Sequence, residues 1–187
     1  MATAKNTSKT RNKATQKNVT ENVTENVVEN VVEDTQPIVP KDIDPEQYVT
    51  VRNGFQGKLS YTSRRTGEKF TWGEFGDEQE MTLRELKNVK NTYKSFYINN
   101  YFMFDEPWIV DYLGVRQYYK NAIRIEDFDE IFDLPPAKLK ETIEGLSRGQ
   151  KKSVAYRAGQ LIADEKIDSR KTISVLEEAL GIELVER

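Results

Sequence analysis

One stretch, residues 93–119, holds more than half of the aromatic residues in this 187-residue chain. Aromatic side chains bury a large area each and dominate both protein cores and protein interfaces. The stretch is therefore predicted to form either the core of the folded part or the surface by which it holds a partner. Its aromatic members are Tyr93, Phe96, Tyr97, Tyr101, Phe102, Phe104, Trp108, Tyr112, Tyr118 and Tyr119.

Residues 1–45 differ in composition from the rest of the chain. They contain no aromatic residue, and a basic part, Lys5–Lys17, precedes an acidic part, Glu21–Asp44. Within them, an Asn-Val-x-Glu tetrad is repeated without interruption over Asn18–Glu33. Such a segment cannot bury enough apolar area to offset the entropy of ordering it. It is predicted to be a low-complexity N-terminal arm, either disordered or ordered by a partner.

Residues 46–134 are predicted to form an α+β domain around a small antiparallel β-meander. Asn53-Gly54 is a hairpin signal because both residues tolerate positive φ, and Arg65–Gly67 is a second turn. Tyr61, Phe70 and Trp72 give the meander one aromatic face, which is interpreted as a core face and not as a base-stacking platform. The expected strands are Tyr48–Arg52, Lys58–Ser63 and Glu68–Trp72.

Helices following the strands are expected to cover the meander. Thr82–Glu85 has the form of a capping box and predicts a helix start. Tyr101–Phe104 is short and apolar, typical of a fourth strand or a buried turn. Asp105, followed by Pro107, predicts the N-cap of another helix. The segment Val115–Ile123 is expected to continue as a helix.

Residues 135–187 are predicted to form a helical subdomain, a C-terminal three-helix bundle. Its helices are expected over Pro136–Glu144, over Arg148–Glu165 with Ser147 as N-cap, and from Asp168 or Ser169 to Leu180. The predicted fold class is therefore α+β, with a small antiparallel meander covered by helices and followed by this bundle.

The composition excludes several kinds of chemistry. The chain has no cysteine and no histidine, which removes disulfides, thiolate metal sites and the mechanisms that need a histidine base. The acidic segment Glu126–Asp133 lacks the glycine and the ligand spacing of a calcium loop, and is interpreted as a solvated helix face. We therefore expect no enzyme activity and assign no catalytic, cofactor-binding or metal-binding residue.

No run of about 18 apolar residues is present, so we expect no membrane-spanning segment and no secretory signal. A net charge of −3 does not favour a nucleic-acid-binding protein. The predicted helix from Arg148 nevertheless offers an alternative, because a basic middle helix among three short helices superficially resembles a helix-turn-helix module. These candidate nucleic-acid residues are Arg148, Lys151, Lys152 and Arg157.

Protein binding remains the favoured function class. Residues 93–119 have more aromatics than a core of this size would need, and the tyrosine hydroxyl suits a half-hydrated interface. Other protein subunits of a multi-chain assembly are the expected partners, with the arm as a second contact. The candidate partner-binding residues are Tyr97, Tyr101, Tyr112, Tyr118 and Tyr119.

Three segments, Val51–Leu59, Arg65–Trp72 and Tyr101–Asp105, resemble accessory proteins encoded in the structural-gene regions of tailed bacteriophages. The resemblance covers residues 48–187 and includes no motif of defined role, so it carries over no functional residues. It implies a bacteriophage virion component, such as a capsid decoration, a connector or internal cargo, located in the virion or in the host cytoplasm during assembly. The alternatives are a phage-encoded nucleic-acid-binding regulator that uses the C-terminal bundle and an inhibitor of a host protein.

Overall fold

The computed structural model describes residues 39–185, so most of the predicted N-terminal arm lies outside the described residues. The fold class is α+β, as the sequence predicts. The strands are β1 (Tyr48–Asn53), β2 (Leu59–Thr62), β3 (Lys69–Trp72), β4 (Glu78–Thr82) and β5 (Phe102–Met103). The α-helices are α1 (Leu83–Thr92), α2 (Ser95–Ile98), α3 (Pro107–Tyr112), α4 (Pro136–Gly145), α5 (Arg148–Ala163) and α6 (Arg170–Leu180), and short 3-10 helices span Arg116–Tyr118 and Asp129–Asp133.

The strands form two small antiparallel sheets. β1 lies in the centre of one sheet, between β4 and β5, with Val51 opposite Gln79. β2 and β3 form a separate hairpin, closed by the predicted turn at Arg65–Gly67, where Gly67 has a φ of 76°. The expected pairing of the second and third strands is therefore confirmed, whereas β1 does not pair with β2.

The predicted hairpin at Asn53-Gly54 is wrong for a physical reason. The side-chain amide of Asn53 donates to the carbonyls of Gly57 and Glu74, each at 2.8 Å, and so fixes a loop instead of a two-residue turn. A Cβ atom on Gly54 would lie 2.1 Å from the carbonyl oxygen of Asn100. The glycine is therefore needed for a close approach between two backbone segments, and not for a positive φ.

A first hydrophobic cluster lies between the two sheets and α1. Tyr61, Phe70 and Trp72 are buried in it, which agrees with their interpretation as a core face. The Trp72 indole donates to the carbonyl of Val51 at 2.9 Å, and its ring packs on Phe102 with centroids 5.3 Å apart. The hydrophobic contacts of this cluster hold the hairpin against β1, which it does not join by strand pairing.

Helix α1 follows its sequence signals closely. The Thr82 hydroxyl accepts a hydrogen bond from the Glu85 backbone N–H, and the leucines and valine of its apolar stripe are buried. The predicted N-cap at Asp105 is wrong, because α3 begins at Pro107 after Glu106 and has no side-chain cap. Asp105 accepts instead from the Arg52 guanidinium at 3.1 Å. The predicted helix over Val115–Ile123 is reduced to the 3-10 turn at Arg116–Tyr118.

Helices α4, α5 and α6 form the predicted C-terminal bundle around a second hydrophobic cluster. Ser147 and Ser169 accept N-cap hydrogen bonds as expected, and α6 ends at Gly181 with a φ of 68°. The acidic segment Glu126–Asp133 includes a 3-10 turn and contributes to this cluster. Phe128 and Ile131 are buried in the cluster, while the neighbouring carboxylates face solvent.

Helix α5 also packs against the aromatic stretch. A Cβ atom on Gly149 would lie 2.1 Å from the carbonyl oxygen of Asn99. The Ser153 hydroxyl donates to the Gly54 carbonyl at 3.2 Å, and the Gln150 amide donates to the Ile123 carbonyl at 2.8 Å. Contacts of α5 therefore cross the predicted boundary between residues 134 and 135.

Candidate functional site

Three lysines follow one side of helix α1 and continue past its end. Lys87 and Lys90 are three residues apart on α1, which places their side chains on the same side of the helix, and Lys94 follows shortly after the helix ends at Thr92. Lys87 and Lys94 are exposed and Lys90 is half-buried. The neighbouring Leu86 and Val89 are buried in the core and fix the orientation of the helix. The three lysines lie next to the segment that begins with α3 at Pro107.

Each lysine contacts an uncharged group of that segment. The Lys87 ammonium donates to the Tyr112 hydroxyl at 2.8 Å and lies 4.0 Å from the centroid of the same ring. The Lys90 ammonium donates to the Leu113 carbonyl at 2.6 Å. The Lys94 ammonium lies 5.6 Å from the Tyr118 ring centroid. We call this set the lysine–tyrosine surface: Lys87, Lys90, Lys94, Tyr112 and Tyr118.

The electrostatic state of Tyr118 shows that this surface is positive. A hydrogen bond with Lys94, followed by one with Gln117 and by the charges of Lys94 and Lys90, lowers the pKa of the Tyr118 hydroxyl below its ordinary value. A lowered tyrosine pKa means that the surroundings favour a negative charge at that position. Lys94 and Lys90 thus favour a negative charge at the Tyr118 hydroxyl.

No carboxylate neutralises the three lysines within residues 39–185. Their contacts are a phenol, a carbonyl and a ring, whereas the lysines that do form ion pairs there are Lys140 and Lys166. The nearest acid on α3, Asp111, is paired with Arg116. Arg64 extends the same pattern, since its guanidinium donates to the Tyr93 hydroxyl at 2.8 Å and lies over that ring.

The five candidate tyrosines do not share one surface. Tyr112 and Tyr118 are half-exposed and belong to the lysine–tyrosine surface. Tyr101 is half-buried and packs edge-on against Phe55 and Phe96.

Tyr119 and Tyr97 are tied to the interior. The Tyr119 hydroxyl donates to the Phe102 carbonyl at 2.6 Å, and burial raises its pKa far above the ordinary value. Tyr97 is 0% exposed and donates to the Leu86 carbonyl at 2.7 Å. The prediction that Tyr97 lies on a partner surface is therefore wrong, because its ring completes the first hydrophobic cluster.

The candidate nucleic-acid residues divide into two groups. The Arg157 guanidinium forms a two-pronged pair with Asp129, one bond measuring 2.9 Å, and this pairing raises the pKa of Arg157 and lowers that of Asp129. Arg148, Lys151 and Lys152 have no ion-pair partner in the described part of the chain. At about 100° per residue, these three lie within one third of the helix circumference and Arg157 lies on the other side.

The most deeply buried charge belongs to a structural network. The Tyr61 hydroxyl donates to Glu85 at 2.5 Å, and Asn88 and Arg65 donate to the same carboxylate. Burial, together with the Glu85 charge, raises the pKa of Tyr61 to about 12. Burial also opposes ionisation of Glu85, but hydrogen bonds from its neighbours hold its pKa below the ordinary value. Because its carboxylate accepts hydrogen bonds from these neighbours, Glu85 links α1 to the β2–β3 hairpin.

An open cleft of about 730 Å³ lies beside α5. Its wall includes Tyr156, which is 57% exposed, and the carboxylates of Glu126 and Asp129. Both carboxylates are already paired, with Arg52 and Arg157 respectively. The cleft therefore offers less uncompensated charge than the lysine–tyrosine surface. Across residues 39–185, no group of three or more Asp and Glu residues is arranged to hold a metal ion.

No protein-family model, curated protein or solved structure matches this chain. None of the helices that the structure describes is long and apolar enough to cross a membrane. The lysines of the lysine–tyrosine surface were not among the candidate residues from the sequence, although their spacing along a predicted helix was a visible signal.

Proposed function

We propose that this chain is a non-enzymatic structural and interaction protein of a multi-chain assembly, which holds a neighbouring subunit through the lysine–tyrosine surface. One observation carries the proposal. Lys87, Lys90 and Lys94 lie close together, each in contact with a tyrosine or a carbonyl, and none contacts a carboxylate in the part of the chain that the structure describes.

The chemistry of this surface suits protein recognition. Tyrosine combines a large apolar ring with a polar hydroxyl and is enriched at the centres of protein interfaces. The rings of Tyr112 and Tyr118 already contact lysine side chains, and these contacts restrict the motion of the tyrosine and lysine side chains before a partner protein binds. Side chains that are ordered in advance lose less conformational entropy when a partner arrives.

The proposed setting is a bacteriophage particle, in which the chain serves as a capsid decoration, a connector or internal cargo. This part of the proposal is supported by the resemblance of Val51–Leu59, Arg65–Trp72 and Tyr101–Asp105 to accessory proteins from phage structural-gene regions. The corresponding locations are the virion and, during assembly, the host cytoplasm.

The test is to purify particles from a phage that encodes this chain and to quantify the chain by mass spectrometry against the major capsid protein. The proposal expects a fixed copy number per particle that survives density-gradient purification. Absence of the chain from purified particles, while it is abundant in the lysate, would refute the virion proposal.

A second candidate function is nucleic-acid binding through α5. The observation in its favour is that Arg148, Lys151 and Lys152 are unpaired within the described residues and share one side of the helix with the exposed Tyr156. The test is a DNA titration at low salt, repeated with Lys151→Glu combined with Lys152→Glu. Salt-dependent binding that this variant abolishes would support the function, and no binding of the wild type at low salt would exclude it.

A further inference from the structure

We infer that the lysine–tyrosine surface binds a short acidic segment of a partner protein, whose Asp or Glu side chains contact Lys87, Lys90 and Lys94. This inference rests on the proposed function, because it names the chemistry of the partner at the same surface.

The three ammonium groups can each take a further hydrogen-bond partner. Each makes a contact with a neutral group, at 2.8 Å for Lys87 and at 2.6 Å for Lys90, and none has a carboxylate partner within residues 39–185. An ammonium group has three N–H donors, so each lysine retains donors for an incoming oxygen. A carboxylate can thus form charge-assisted hydrogen bonds here without first breaking an ion pair.

The size of the surface also suits a short segment. Lys87 and Lys90 lie three residues apart on α1, which corresponds to about 4.5 Å along the helix axis, and Lys94 follows the end of α1 at Thr92. An extended peptide advances about 3.3 Å per residue and its alternate side chains share one face, so acidic residues at alternate positions, about 6.6 Å apart, present their carboxylates to the same surface. The rings of Tyr112 and Tyr118 lie beside these ammonium groups and offer apolar contact to the methylene groups of the acidic side chains.

The charge distribution of the chain distinguishes a short acidic segment from a longer polyanion as the ligand. The whole chain carries a net charge of −3, so the positive surface is local. Salt screens charges beyond about 8 Å at physiological ionic strength, and a short segment therefore senses mainly the lysines. Duplex DNA carries a charge about every 1.7 Å over a long axis and would extend beyond the surface over the rest of an acidic protein. The charge pattern favours the short protein segment.

The experiment uses the full chain and a labelled peptide of about ten residues in which Glu alternates with Gly, with binding followed by fluorescence anisotropy. A Gln-for-Glu peptide and an oligothymidylate of equal charge are the comparison ligands. We expect the Glu peptide to bind, the Gln peptide to bind at least about tenfold more weakly, and added salt to weaken binding.

The variant Lys87→Gln/Lys90→Gln/Lys94→Gln is expected to weaken peptide binding by about tenfold or more, because three charge contacts with the peptide are lost. Its matched control, Arg148→Gln/Lys151→Gln/Lys152→Gln, removes the same charge from α5 and is expected to change affinity by less than about twofold. Because Lys90 also contacts the Leu113 carbonyl, the double variant Lys87→Gln/Lys94→Gln keeps that hydrogen bond and is tested in parallel with a thermal melt.

Equal binding of the Gln peptide, an equal loss in the α5 control, or tighter binding of oligothymidylate through the same lysines would overturn the inference. Self-association of the chain that the double variant abolishes would overturn it in favour of a second copy as the occupant. If the peptide does not bind but the chain is present in particles, the inference fails and the proposed function stands. If the peptide binds but the chain is absent from particles, the virion proposal fails.

Discussion

Gly149 and Gly159 lie in the same helix but in opposite surroundings, which makes Gly149→Ala and Gly159→Ala a matched pair. A Cβ atom at Gly149 would lie 2.1 Å from the Asn99 carbonyl oxygen and 2.8 Å from the Tyr101 ring, whereas at Gly159 it would meet nothing within 4 Å. Alanine in place of glycine stabilises a helix by about 1 kcal/mol where there is room. The pair therefore separates helix propensity from packing.

At Gly149 the packing effect exceeds the propensity effect. Overpacking destabilises a protein by about 1–3 kcal/mol. We expect a cost at the upper end of this range for the 2.1 Å contact, because a backbone carbonyl cannot rotate away as a side chain can. Subtracting a propensity gain of about 1 kcal/mol leaves a net destabilisation of about 2 kcal/mol. At about 2–4 °C per kcal/mol, the melting temperature should fall by about 4–8 °C in Gly149→Ala and rise by about 2–4 °C in Gly159→Ala.

The assay is thermal unfolding followed by circular dichroism, with urea unfolding as an independent measure of the free energy. Because Gly149 contacts Asn99 across the predicted boundary at residue 135, the result also tests whether α5 and the aromatic stretch unfold together. Equal melting temperatures for the two variants would refute the close packing of α5 on residues 99–101.

The remaining predictions concern the Tyr61–Glu85 network and Tyr118. Tyr61→Phe removes the 2.5 Å hydrogen bond to Glu85 and should lower the free energy of unfolding by about 1–2 kcal/mol in urea, whereas Tyr118→Phe should leave it unchanged. Because the folded protein holds the pKa of Glu85 below its unfolded value of about 4.5, ionised Glu85 stabilises the fold above that pH, and this stabilisation is lost as the pH falls through the folded pKa. Glu85→Gln should therefore flatten the acid limb of the stability profile, and an unchanged limb would contradict this assignment. In an ultraviolet titration, Tyr118 should ionise first and Tyr61 only near pH 12, and the early step should be absent from Tyr118→Phe.

Several local signals of the sequence were sufficient, although the turn signal at Asn53-Gly54 and the cap signal at Asp105 were overridden by contacts with residues far along the chain. The caps at Thr82, Ser147 and Ser169 and the turn at Arg65–Gly67 all depend on hydrogen bonds or dihedral angles within a few residues, and all are confirmed. The pairing of β1 is different, because its partners β4 and β5 lie far along the chain and nothing in residue spacing selects them.

The candidate site shows the same division. Tyr97 and Tyr118 are the same residue type within one aromatic stretch, yet one is fully buried and the other half-exposed. The difference in burial depends on which side of the chain faces α1, and this cannot be read from the composition of the stretch. The lysines were visible as a helical spacing, but their importance arises from the absence of a carboxylate partner within the described residues, which is a tertiary property.

The central claim is that the lysine–tyrosine surface holds a partner subunit. The most direct measurement is the copy number of the chain in purified particles when Lys87→Gln/Lys94→Gln replaces the wild type, compared with Lys151→Gln/Lys152→Gln, which removes the same charge from α5. We expect the copy number of the Lys87→Gln/Lys94→Gln variant in particles to fall by about tenfold or more, although this variant folds normally. The Lys151→Gln/Lys152→Gln variant is expected to be incorporated at the wild-type level. Equal incorporation of both variants, or loss of the α5 variant alone, would contradict it.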